Sequence, residues 1–177
     1  MKQRKELRLR EYDYSGNGAY FVTICTQNRE KLFARPEIHA ESIPQNGEES
    51  FSAVGADSIS ARIIRRTFAH VINEHPNVSC PRYVIMQDHF HALVVLERAD
   101  TGSAPTLPYL IQAFKRFSTL EYTKAVKAGL LPPYDKRIWQ RGYYEHVIRS
   151  YDDFLDCWTY IENNPLKQLS PTKDEHI

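Results

Sequence analysis

Between Pro81 and Leu96 the chain reads PRYVIMQDHFHALVVL, two β-branched and aromatic runs separated by the polar pair Gln87-Asp88. Runs of this composition are strands, and the polar pair is where the chain turns back. The spacing predicts one strand over 81–86 and another over 89–96. The second opens with His89-Phe90-His91. Strand side chains alternate faces, so His89 and His91 project together while Phe90 points to the other side. Two imidazoles side by side on a rigid strand make two-thirds of a metal site. A lone HxH is more often a pair of hydrogen-bonded sheet histidines, so the pattern needs a companion before it carries chemistry.

The other elements follow from the same periodicities. YFVTICT at 20–26 follows Gly16-Asn17-Gly18 and reads as a first strand. Residues 35–57 are polar, hold Pro36, Pro44, Asn46-Gly47 and Gly55, and read as a long loop or hairpin insertion. Ser58 or Ser60 starts a helix with Ile63, Ile64, Phe68, Val71 and Ile72 at helical spacing. A second helix fits 106–127, with Leu110, Phe114, Phe117 and Leu120 inward and Gly129 at its end. A fourth strand is expected over 138–148, and a last helix over 151–164, stopped by Pro165. The order β-α-β-β-α-β-α predicts an α+β, ferredoxin-like sandwich, a central antiparallel sheet with helices packed on one face.

With 177 residues, the chain is expected to form a single domain across 1–177, with a basic segment at 1–18 and a tail at 166–177. Its longest apolar run, Ala92 to Leu96, is far short of the ~20 residues that span a bilayer. The charged opening residues have no apolar stretch behind them, so no secretory signal and no membrane partner are expected and the cytoplasm is the default. Cys25, Cys80 and Cys157 form no CxxC pair and read as three reduced thiols. A net charge of +1 does not announce a nucleic-acid binder. Basic residues nevertheless cluster at Arg4, Lys5, Arg8 and Arg10, at Arg62, Arg65 and Arg66, at Lys115 and Arg116, and at Arg137 and Arg141. Local basic patches of this sort suit phosphate contacts.

The companion motif lies near the end, Tyr160-Ile161-Glu162-Asn163-Asn164-Pro165. At about 100° per residue, Phe154, Trp158 and Ile161 form an apolar stripe with Leu155 on its flank. Tyr160 and Asn164, four apart, share a different face. Such a tyrosine either lies on the surface or meets another element.

Four stretches then line up: YFVTICTQNR (Tyr20–Arg29), VIMQDHFHALV (Val84–Val94), WQRGYYEHVIR (Trp139–Arg149) and YIENNPLK (Tyr160–Lys167). In content and order they resemble the HUH single-tyrosine transposases, in particular the REP-associated tyrosine transposases, over nearly the whole chain. Gln87-Asp88 departs from the family, which often has Pro-Asn or a similar pair there. The resemblance implies a ferredoxin-like fold whose last helix presents its tyrosine to the histidine pair. It implies Tyr160 as nucleophile and His89, His91 and Asn164 as ligands of a divalent ion, Mg²⁺ or Mn²⁺. It further implies nicking and rejoining of single-stranded or hairpin DNA, derived from repeated palindromes, through a 5′-phosphotyrosine. Members occur as monomers and as homodimers with shared sites. The amide oxygen, and the expected lack of a nearby thiol or carboxylate, speak against a closed structural zinc site.

Arg4, Lys5, Arg8, Arg10, Lys115, Arg116, Arg137 and Arg141 are the candidates for backbone contacts, and Trp139, Tyr143 or Tyr144 for base stacking. Trp139 and the tyrosines read more simply as sheet packing. Glu145 and His146 read as structural neighbours of the site. Two other readings stay open: a non-catalytic nucleic-acid-binding module on this fold, and a metal-dependent nuclease using activated water.

Overall fold

A computed structural model describes residues 18–33, 41–43, 58–97 and 105–169, with side chains through Pro165. Arg4, Lys5, Arg8 and Arg10 lie outside the described residues. Strands β1 (Gly18–Cys25), β2 (Glu41–Ile43), β3 (Val78–Ile85), β4 (His89–Leu96) and β5 (Tyr144–Ile148) form one sheet in the order β2-β3-β4-β1-β5. Every pairing is antiparallel. Helices α1 (Ile59–Asn73), α2 (Leu107–Lys127) and α3 (Tyr151–Leu169) complete the α+β architecture. No helix among the described residues is long and apolar enough to cross a membrane.

The local chemistry explains the boundaries. The side chains of Ser58 and Thr106 cap α1 and α2 by accepting from the amides of Ala61 and Tyr109. Beyond α2, Gly129 adopts φ +72° while Leu130 N–H donates to the Ala125 carbonyl at 2.9 Å, a Schellman ending that requires the left-handed residue. α1 buries Ile64, Phe68, Val71 and Ile72, and α2 buries Leu110, Ile111, Phe114 and Tyr122, against Tyr20, Val22, Ile24, Phe90, Ala92 and Val94. Phe68, Phe90 and Phe114 meet edge-on or tilted at 4.7–5.3 Å at the centre of this layer.

At the level of individual elements the structure departs from the sequence reading in several places. β3 begins at Val78, with Pro81 inside it. The ladder to β4 shifts between Ser79 and Arg82, where a residue without an N–H is tolerated. A short edge strand, β2, lies within the expected loop at 35–57. The expected strand over 138–148 is ordered sheet only from Tyr144, although Trp139 makes an isolated bridge to Thr26. Leu120 is 52% exposed, because Ser118, Tyr122 and Ala125 occupy the inward stripe of α2. Finally, Pro165 does not stop α3, which runs on to Leu169. The ring removes one backbone bond, to the Ile161 carbonyl. Burial of Ile161, Asn164 and Pro165 holds that turn in place.

Helices α1 and α2 share one face as expected, but α3 lies on the other. It packs through Ile161, which is fully buried, onto Phe21, Val84, Met86 and Leu93, with Phe154, Cys157 and Trp158 around the margin. Leu155, on the flank of the stripe, is exposed. Because this second layer is small, Ile161→Ala removes most of its buried contact and should destabilise the protein by about 2–4 kcal/mol. Urea unfolding with hydrogen exchange checks this. Amides of α3 should lose protection well before those of α1 and α2, and a loss below about 1 kcal/mol would show that α3 is held elsewhere.

Candidate active site

The alternation of β4 divides its side chains between the layers: Phe90, Ala92 and Val94 enter the core beneath α1 and α2, while His89, His91 and Leu93 face α3. The two imidazole rings lie 4.6 Å apart and nearly perpendicular, with His89 8% and His91 4% exposed. The antiparallel register sets Thr23 of β1 opposite His91 and Cys25 opposite His89. Thr23 Oγ1 meets His91 Nδ1 at 2.8 Å. Asp88 Oδ1 meets His89 Nδ1 at 2.6 Å. Both inner nitrogens are therefore engaged, which leaves the outer Nε2 atoms as the positions where a cation could bind.

The last helix completes the cluster. Tyr160 sets its ring edge-on to His91 at 5.4 Å and to Phe21 at 5.6 Å, and Phe21 in turn stacks on His91 at 5.3 Å. Tyr160 is 43% exposed, so the ring leans on the histidine face while one side remains open. One turn on, Asn164 is 8% exposed and its amide nitrogen lies 3.4 Å from His91 Nε2. A half-turn of the carboxamide exchanges that nitrogen for the oxygen, which is the ligand a cation would take. Glu162 leaves on another side of the helix and pairs with Arg82. The structure thus brings together His89, His91, Tyr160 and Asn164, residues far apart in sequence.

Burial keeps both imidazoles neutral. It pushes His91 down to about 3, and the nearby His89 imidazole and the Arg29 guanidinium further disfavour a proton there. His89 is lowered by the same burial, against which Asp88 pulls upward. A neutral imidazole pair whose inner nitrogens are engaged, with a carboxamide at the outer nitrogen of His91, is a donor set that fits a divalent cation.

Three site residues escaped the sequence reading, Thr23, Asp88 and Arg29. Asp88 belongs to the turn, yet its carboxylate orients His89. The expectation of no nearby carboxylate is therefore corrected, although Asp88 meets the inner nitrogen of His89 and not the outer one. Arg29 holds Asp88 in turn, its Nε 2.9 Å from Oδ2, while its Nη1 donates to Cys25 Sγ. Asn28 and Arg29 carry φ of 54° and 57°, a left-handed conformation that L side chains seldom adopt and that turns the guanidinium back towards the site. Asp88, next to the HxH, was the one available signal.

Of the other candidates, Lys115 is turned inward. Its ammonium donates to the carbonyls of Gln140 and Gly142 at 2.9 and 2.8 Å and tethers the loop before β5. Arg116 projects from α2, across the sheet from the histidines. Arg137 and Arg141 lie on the segment that bonds through Gln140 N–H to the Cys25 carbonyl, at the His89 end of the sheet. Trp139 is a core residue donating to Ser118 Oγ at 2.9 Å, and Tyr143 packs beneath Lys115. Tyr144 is 55% exposed, on β5 opposite Thr23.

No protein-family model matches the chain. An uncharacterized protein of Haemophilus influenzae is 28% identical to it over 174 residues, 92% of this chain and 88% of that one. A second Haemophilus influenzae protein, named “Putative REP-associated tyrosine transposase”, is 26% identical over 88% of this chain and 74% of its own length. The chain is thus similar, over most of its length, to a protein named as a REP-associated tyrosine transposase. Its fold agrees with a solved REP-associated tyrosine transposase bound to a REP hairpin, with a TM-score of 0.58 and 20% identity over 91% of this chain and 73% of that one.

The neutral imidazoles set a pH dependence for the stability of this chain. Between about pH 6.5 and 3 the unfolded chain binds a proton that folded His91 refuses, so stability falls as pH drops through that window. Metal-stripped protein should show a lower urea midpoint at about pH 5 than at pH 7, and His91→Gln should shrink the difference. An unchanged difference would mean that His91 is not held neutral.

Proposed function

We propose that this chain nicks single-stranded or hairpin DNA and rejoins it, with Tyr160 as the attacking group. The observation that carries the reading is the meeting of Tyr160 and Asn164 with His91. Kinship with proteins named tyrosine transposases, and the hairpin bound in the solved structure of similar fold, support DNA as the substrate.

His89, His91 and Asn164 would hold a divalent cation, Mg²⁺ or Mn²⁺, through two Nε2 atoms and the carboxamide oxygen. When bound, it neutralises charge on the non-bridging oxygens of the scissile phosphate. All three ligands are neutral, so none offsets that charge. The burial of His89 and His91 limits competition from water. Phe21 and His91 fix the ring of Tyr160, so the phenol approaches the phosphate from one direction. The phenolic oxygen bonds to phosphorus as its proton departs, and the bond from phosphorus to the 3′ oxygen breaks, releasing a 3′-hydroxyl. The 5′ end stays on Tyr160. A second 3′-hydroxyl reverses the exchange, joining strands without ATP, because one phosphodiester replaces another. Arg137 and Arg141, with Arg4, Lys5, Arg8 and Arg10, would contact the DNA backbone, and Tyr144 offers an open ring to a base.

Incubating the protein with labelled REP-type hairpins and Mn²⁺ should give a covalent adduct on a denaturing gel, and Tyr160→Phe should abolish it. An adduct that survives this substitution would overturn the assignment of the nucleophile. Strand cleavage that persists in Tyr160→Phe and collapses in His89→Ala would instead indicate a nuclease using activated water. Binding with neither adduct nor cleavage would leave a nucleic-acid-binding module. Asp88→Ala frees the His89 ring and should weaken apparent Mn²⁺ affinity about 10–100-fold, with adduct yield recovering at high metal. Unchanged Mn²⁺ dependence would remove Asp88 from the site.

A further inference from the structure

On the other side of Phe21 lies a second group of donors. His146 of β5 stands opposite Phe21 in the register and faces α3. Its Nε2 meets the Asp153 carboxylate at 2.8 and 3.0 Å, and Cys157 Sγ lies 4.0 Å from Asp153 Oδ1. One ligand atom from each residue falls within 4.8 Å of the other two, and all three residues are half-buried.

We propose that His146, Asp153 and Cys157 form a second metal site, distinct from the histidine pair and selective for a borderline-soft cation such as Zn²⁺. Imidazole nitrogen, carboxylate oxygen and thiolate sulfur are the three donor types that zinc takes from proteins. With bonds of about 2.0 Å to nitrogen and oxygen and about 2.3 Å to sulfur, tetrahedral edges run to roughly 3.3–3.5 Å. The present spacings lie on both sides of that range. Side-chain rotations of about an ångström would close the site, with a fourth position left for water. Asp153 and Cys157 are four apart, so one face of α3 presents both.

The electrostatics favour a cation here. Burial, Asp153 and Asp156 push the Cys157 thiol up to about 11, so its thiolate lacks a positive partner. The Asp153 carboxyl is held below its usual range by His146 and by the Arg149 amide. A bound cation would replace the hydrogen bond between His146 and Asp153 with two metal bonds and recruit the sulfur. It would pin the first half of α3 to the edge strand β5, less than a turn before Tyr160. The proposal does not depend on the nicking reading, and its test uses no DNA.

Cobalt(II) is the probe, because thiolate ligation gives a charge-transfer band that nitrogen and oxygen ligands do not. The reduced full-length chain should develop that band, saturating at one equivalent of Co²⁺ and displaced by Zn²⁺. Cys157→Ser, with unchanged circular dichroism, should lose it, and Cys25→Ser should keep it. Zn²⁺ should also raise the melting temperature of the wild type, by a few degrees or more at saturation, but not that of Cys157→Ser. Absence of the band in the wild type overturns the proposal, as does a band that survives Cys157→Ser or one that Cys25→Ser removes.

Discussion

The pairing of β1 with β4 governs the rest of the structure. It sets Thr23 against His91 and Cys25 against His89, and it sends every second residue of both strands into the core beneath α1 and α2. A one-residue slip would exchange the faces, driving two imidazoles among Phe68 and Phe114 and turning Phe90 towards α3. That alternative leaves buried polar nitrogens without partners, at about 1–3 kcal/mol each, and empties the aromatic centre of the core. The large core therefore fixes the position of the histidines, although it touches neither. The site can be polar and open because its geometry is enforced from the opposite side of the sheet.

Orientation within the site comes from closer neighbours. A buried imidazole with a free inner nitrogen would rotate or choose either tautomer. Thr23 and Asp88 remove that freedom from His91 and His89 in turn. Asp88 sits at the end of a chain of constraints that begins with the left-handed backbone at Asn28 and Arg29. Strain at those two residues is sustained by the amide and carbonyl bonds that tie Thr26 and Gln27 to Asp88 and Ile138. The turn before β4, the segment after β1 and the segment before β5 thus converge at one end of the sheet, next to the imidazoles.

Elements with a strong period were legible in the sequence. The strand at 89–96 and the helix after Thr106 match their expected bounds, and Ser58 caps α1 as its position suggests. Elements defined by their partners were not. β2 is a short edge strand whose three residues carry no pattern of their own and acquire one only by pairing with β3. Pro165 looked like a stop because its cost is local, whereas the burial that offsets it comes from the sheet. The side of the sheet that α3 covers is a matter of connection, invisible to a helical wheel. For the site, spacing alone showed that His89 and His91 share a face and that Tyr160 and Asn164 share another. That the two faces meet came from the resemblance of the four stretches to a known family, and the meeting with Asp88, Thr23 and Arg29 needed the register.

The turn of α3 around Tyr160 reconciles two opposing demands. A group that is to reach a polymer must be exposed, while a group that is to be held in one place must be packed. Adjacent helical residues point about 100° apart, so Ile161 can be fully buried against Phe21 and Leu93 while Tyr160 keeps 43% of its surface open. Asn164 returns to the face of Tyr160 one turn later, where the curvature of the helix surface brings it down onto His91. The order of these residues therefore carries more information than their identities. Exchanging Tyr160 and Ile161 would preserve the composition of the helix, yet it would bury the phenol beside Leu93 and leave His91 facing an aliphatic side chain.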